Sequence, residues 1–223
     1  GWEKLTLNQK LLVYYLSQAG YAGRDIIWDQ NYRYNLEIRH ALESIVTKYQ
    51  GDKTSADWNN FMVYTKRVWF SNGIHHHYSS DKIMPEFSID YFNTLLNATK
   101  TQLDETIVKI MFDPQADNKK VNLDPTGDLL LTSATNFYAP DVSQKDAEDF
   151  YAKMIDPSDL KAISHGLNSK LVKTPNGLEE RVYKVGGQYN DAIVEIVGWL
   201  KKAVSVCEND PQAYALKLLI EYY

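Results

Sequence analysis

The sequence predicts an α+β fold that is predominantly α-helical with a small β component. Three observations carry this. Apolar side chains recur at three- and four-residue spacing through most long segments, Ser, Thr or Asp precedes several of them as a cap, and the clearest strand signal is a hairpin near residues 171–185. A chain of 223 residues with 44% hydrophobic and 24% charged residues is long enough to bury a sizeable core, and residues 1–223 read as a single domain.

Thr6 and Gln9 match a capping box ahead of Leu7, Leu11, Leu12, Tyr15 and Leu16, which predicts a helix ended by Gly20. A helical segment over about 23–31 follows, and 34–49 carries Leu36, Ile38, Ala41, Leu42, Ile45 and Val46 on one side. No glycine or proline separates these two, so one long helix fits as well as two. Ser55 caps a helix bearing Trp58, Phe61, Met62, Tyr64 and Val68. Residues 88–99 and 101–112 predict two more helices, the second stopped by Asp113-Pro114.

Residues 114–127 are turn-rich and form the best candidate for an exposed excursion or internal boundary, while 128–138 fits a strand or an anchored loop. Ser143 with Asp146 starts a short helix through Met154. The hairpin turns at Thr174-Pro175-Asn176-Gly177, and Gly186-Gly187 ends it. Helices over about 188–206 and from Asp210-Pro211 onward complete the chain. The last helix meets Tyr223 without a cap, so the chain is expected to end within an element.

The formal charge of −5, from 29 acidic and 24 basic residues, argues against a nucleic-acid partner, because phosphate contacts need a basic face. No run approaches the ~18 apolar residues of a membrane span. The single cysteine, Cys207, excludes an internal disulfide and reads as an inert thiol. These features suit a cytoplasmic protein, and a processed exported one fits them too. Sixteen tyrosines and five tryptophans suit large interfaces and peptide clefts.

Residues 68–78, Val-Trp-Phe-Ser-Asn-Gly-Ile-His-His-His-Tyr, gather three of the five histidines beside a turn. His75 and His77 would share one face of an extended strand, which is half of a zinc site, and no spacing selects a further ligand from Asp81, Glu86 or elsewhere. No His-Glu-x-x-His, Cys-x-x-Cys, nucleophile elbow or phosphate loop occurs. Gly186-Gly187 ahead of a helix offers N–H groups to an anion, although a strand-to-helix turn needs glycine in any case.

Taken together, Tyr14-Tyr15-Leu16-Ser17-Gln18-Ala19, Gly23-Arg24-Asp25-Ile26-Ile27-Trp28-Asp29-Gln30-Asn31-Tyr32, the stretch from Lys66 to Tyr78, Asp149-Phe150-Tyr151-Ala152-Lys153-Met154 and Lys184-Val185-Gly186-Gly187-Gln188-Tyr189 resemble the amino-terminal half of bacterial dipeptidyl peptidase III of the Bacteroides type. The resemblance covers nearly the whole chain. It implies a two-lobed zinc exopeptidase that removes dipeptides from the amino termini of oligopeptides, with this chain as a lower-lobe fragment. The family's His-Glu-x-x-Gly-His motif and its later glutamate ligand do not occur here, nor does the stretch that holds the substrate amino terminus. On this resemblance zinc belongs to the whole enzyme, none is expected in this chain, and the chain alone should be inactive.

The resemblance further implies that Asn72, His75, His77 and Tyr78 form substrate-binding cleft wall, with the zinc-bearing lobe and an oligopeptide as partners. No catalytic or metal residue is assigned. A non-catalytic peptide-binding or interaction module is the rival reading.

Overall fold

The computed structural model describes residues 1–161 and 163–223. In chain order the elements are α1 (Leu7–Ala22), α2 (Arg24–Asn31), α3 (Asn35–Lys48), α4 (Ala56–Ser71), α5 (Ile89–Thr99), α6 (Glu105–Phe112), α7 (Gln144–Ala152), β1 (Ser169–Thr174), β2 (Gly177–Val182), α8 (Asn190–Val204) and α9 (Asp210–Tyr222), after a short 3-10 turn at Trp2–Lys4. The predominantly helical α+β class therefore holds, with one two-stranded antiparallel sheet among the described residues. The chain divides into two compact units, Gly1–Ile27 with Met154–Tyr223, and Trp28–Lys153. None of the described helices is long and apolar enough to cross a membrane.

In the first unit α1 packs on α8 and α8 on α9. Ala19, Ile196 and Leu200 are buried there, with Trp199, Leu216 and Ile220 against them. The Thr6–Gln9 capping box forms as expected. Gly20, however, lies inside α1, which runs on to Ala22. An internal glycine costs about 1 kcal/mol, which the packing of Ala19 and Ala22 in this core offsets. The hairpin pairs Ser169 with Val182 and Thr174 with Gly177, burying Leu171 and Val172. It ends three residues earlier than the pattern suggests, at Val182, where Gln188 N–H turns back to the Val182 carbonyl at 2.9 Å. Cys207 is half-buried, donates to the Ala203 carbonyl at 3.4 Å, and has its pKa raised by burial.

The second unit is centred on an aromatic core. Phe61, wholly buried on α4, lies 5.3 Å from Trp58 and 5.7 Å from Phe87, and Phe92 of α5 lies 5.9 Å from Phe112 of α6. Ser55 caps α4 by accepting from the Trp58 N–H at 3.2 Å. Ser55→Ala is expected to cost about 1 kcal/mol, read as a lowered urea midpoint, and an unshifted midpoint would show that water replaces the cap.

Two features depart from the periodicity. The chain breaks between α2 and α3 although no breaker residue is present: the Trp28 carbonyl still accepts the helical Tyr32 N–H at 3.3 Å and the Asn35 side chain as well at 3.0 Å, while the Gln30 carbonyl, which a continuing helix would offer to Tyr34, accepts from the Asn136 N–H at 2.9 Å. Helix α6 starts at Glu105, not at Thr101: Lys100 closes α5 in the left-handed region (φ 52°), and the Asp104 carboxylate caps α6 at the Thr106 N–H, 2.7 Å away.

Short extended stretches that no periodicity marks join these helices. Ile83 N–H donates to the Ile74 carbonyl (2.8 Å), Lys82 N–H to Asn118 (2.9 Å), Ala134 N–H to Lys119 (2.9 Å) and Asn136 N–H to Gln30 (2.9 Å). The 128–138 segment is thus a loop pinned at its far end, and 114–127 lies within this unit.

Candidate functional site

The 68–78 stretch starts as the last turn of α4. Asn72 ends the helix in the left-handed region (φ 50°, ψ 45°), which asparagine tolerates, and Gly73 N–H returns to the Val68 carbonyl at 3.0 Å in a Schellman closure. The Asn72 carbonyl accepts from Asn31 Nδ2 at 3.0 Å and Asn35 Nδ2 at 3.4 Å, and Asn35 Oδ1 accepts from the Ile74 N–H at 3.1 Å. Only glycine fits at 73, where φ is +147° and a Cβ would stand 2.1 Å from Asn35 Nδ2. The backbone of Asn72 is therefore clamped by two asparagines. Sequence reasoning missed both, and the only signal for them is a pair of amides four residues apart.

The three histidines have separate roles. His75 is 2% exposed. Its Nε2–H donates to the Asp117 carbonyl at 2.7 Å, its ring meets Tyr32 edge-on at 5.2 Å, and its Nδ1 has no hydrogen-bond partner. Burial, with Lys82 and Lys120 nearby, lowers its pKa to about 4. His76 is exposed, and its Nδ1 accepts from the Tyr78 and Ser79 N–H groups at 3.2 and 3.1 Å, which places its proton on Nε2. His77 lies against His76 at a tilt (4.5 Å between centroids, 31°) and meets Phe70 edge-on (4.9 Å), with Nδ1 3.4 Å from Ser71 Oγ. Tyr78 is 89% exposed.

An open groove of about 900 Å³ runs between α4 and residues 76–86. Phe70, Ile83 and Met84 give it apolar surface, and Lys66, His76 and His77 give it polar surface. Of the four expected site residues only His77 lines it; Asn72, His75 and Tyr78 do not. Lys82 holds one wall in place. Its buried ammonium donates to the carbonyls of Ile110 (2.9 Å), Asp113 and Ala116, tying the wall to the end of α6. Burial lowers its pKa, against the pull of Asp113 and Asp117.

At Gly186-Gly187 the N–H groups are already used, Gly186 by Asn190 Oδ1 at 2.7 Å and Gly187 by the Lys184 carbonyl at 2.9 Å, so no anion cradle remains.

A solved structure of DPP III from Caldithrix abyssi aligns with 97% of this chain at a TM-score of 0.58 and 18% identity. The chain has a DPP III-like fold. It spans 30% of the length of that DPP III chain. No family model and no curated protein matches the sequence.

The DPP III-like resemblance implies zinc, and the donors present do not fit it. No three His, Cys, Asp or Glu side chains converge among the described residues. His75 Nε2 is committed to a carbonyl, and the two carboxylates nearest the histidines in sequence pair with cations, Asp81 with Lys119 and Glu86 with Arg67 at 2.8 Å.

Proposed function

We propose that this chain is the lower-lobe portion of a DPP III-like dipeptidyl peptidase, serving as scaffold and as one wall of the cleft that receives an oligopeptide. The observation that carries the reading is the shared fold along 97% of the chain. The groove beside α4 supports it, since it offers apolar surface at Phe70 beside hydrogen-bonding groups at His77 and Lys66. In this reading His77 and Phe70 contact the peptide and Tyr78 lies at the rim. Asn72 and His75 act from beneath, by holding the loop. Peptide hydrolysis, and the zinc it requires, belong to residues outside this chain. A cytoplasmic setting completes the reading.

The test is made on the longer gene product. It should release dipeptides from the amino terminus of an oligopeptide, and His77→Ala should raise KM about tenfold, ~1.4 kcal/mol of binding, with kcat and thermal midpoint unchanged. No dipeptide release, or an unaltered KM, would remove the assignment. A stop codon directly after Tyr223, with oligopeptide binding retained by the 223-residue chain, would favour the binding-module reading instead.

A further inference from the structure

The buried imidazole of His75 is in a setting that tolerates only its neutral form. A carbonyl oxygen can only accept, so the contact with Asp117 fixes the proton on Nε2 and leaves a lone pair on Nδ1 with no donor facing it. The charged and titratable groups around the ring come from each neighbouring segment. Lys82 belongs to the adjacent extended stretch, Lys120 to the next one, and Tyr32 and Arg33 to the end of α2 and its following turn. The Asp117 carboxylate is already engaged by the Tyr32 hydroxyl at 2.6 Å and by Arg33 at 2.9 Å, and Asp113 lies by Lys82. A proton added at Nδ1 would create a buried imidazolium whose Nδ1–H has no acceptor, with two ammonium groups nearby.

The loop that His75 anchors is also tied at its far end by Lys82, whose ammonium donates to three carbonyls, and by the partly exposed Asp81–Lys119 pair. His76 N–H reaches the Asp81 carbonyl at 2.7 Å, Ser80 N–H reaches the His76 carbonyl at 3.1 Å, and Lys120 N–H reaches the Ser80 carbonyl at 2.8 Å. The same loop supplies His76, His77, Ser79 and Asp81 to the groove.

We propose that His75 is an acid-operated latch. Its neutral ring holds residues 76–81 down as one wall of the groove, and protonation of Nδ1 expels the ring and releases that wall. The sign follows from the neutral form being favoured in the folded chain. The latch is closed above the ordinary histidine range of about 6.5 and opens as pH falls from there towards about 4. The proposal does not depend on the peptidase reading, because its readout is structural.

The experiment is amide hydrogen exchange on the 223-residue chain between pH 7 and pH 4, corrected for intrinsic rates, with the histidine ring nitrogens followed by NMR. The amides of His76, Lys82, Ile83 and Lys120 should lose protection at least tenfold as the His75 ring takes up its second proton, while the amides of α3 keep theirs. His75→Gln, whose amide can still donate to the Asp117 carbonyl, should abolish that loss, and His77→Gln should leave it in place. Opening at the same pH in His75→Gln would overturn the latch. Should that variant fail to fold, the ring nitrogens of the unaltered chain decide: opening while Nδ1 is still unprotonated would overturn it, and opening that tracks its protonation would support it.

Discussion

Replacing Asn35 by alanine is expected to destabilise the Trp28–Lys153 unit by about 3 to 4 kcal/mol. The side chain is wholly buried and makes contacts in three directions, donating to the Trp28 and Asn72 carbonyls and accepting from the Ile74 N–H. Alanine removes all of them and leaves the Ile74 N–H, whose residue is itself buried, with a lost acceptor. Each net hydrogen bond is worth about 1 kcal/mol and an orphaned buried donor about 1 to 3 kcal/mol, so the polar loss outweighs the small change in volume. Asn35→Asp keeps the acceptor but sets a carboxylate against two carbonyl oxygens, and should be at least as harmful. Urea unfolding followed through Trp28, Trp58 and Trp69 measures the effect; a loss under about 1 kcal/mol would show that the clamp on the 72–74 turn does not hold the unit together.

The second large effect separates two phenylalanines of one helix. Phe61→Ala should cost about 3 to 5 kcal/mol, because Phe61 is wholly enclosed by the rings of Trp58, Phe87 and Phe92 and the cavity cannot be refilled by water. Phe70→Ala should change stability by no more than about 0.5 kcal/mol, since Phe70 is 75% exposed at the groove. Equal losses for the two variants would refute the assignment of Phe61 to the core and Phe70 to the surface.

Phe61 and Phe70 illustrate how far the sequence could be read. Periodicity placed Phe61 on a helix that Ser55 starts, because helix phase and capping are local and follow from spacing along the chain; Phe70 was legible only as part of the stretch to which that helix leads, and the structure puts it in the last turn of α4. Periodicity also grouped Phe61 with Trp58, Met62, Tyr64 and Val68, all of which the structure buries but Met62, which is only partly covered. It gave no reason for Phe70, Ser71 and His77 to gather at a groove, since the return of the chain along 76–86 depends on the clamp at Asn72 and the ties of Lys82. The break between α2 and α3 was illegible for a related reason. It coincides with a bond from the Asn136 N–H, remote in sequence, to the Gln30 carbonyl, and not with a glycine or proline.

The histidine stretch shows the same division. Its position after a capped helix, and the turn at Asn72-Gly73, are written in the residues themselves, as are the helical class and the hairpin. The opposite destinies of His75 and His77 are not, because they depend on what each ring meets: for His75 the carbonyl of Asp117 and the edge of Tyr32, both remote in sequence, and for His77 the open side of α4. The sequence alone determined the helical class, the hairpin and the capped starts at Thr6, Ser55 and Ser143. Only the tertiary structure decided which polar groups are buried, paired or exposed, since burial and hydrogen-bond partnership arise between segments that local spacing does not connect.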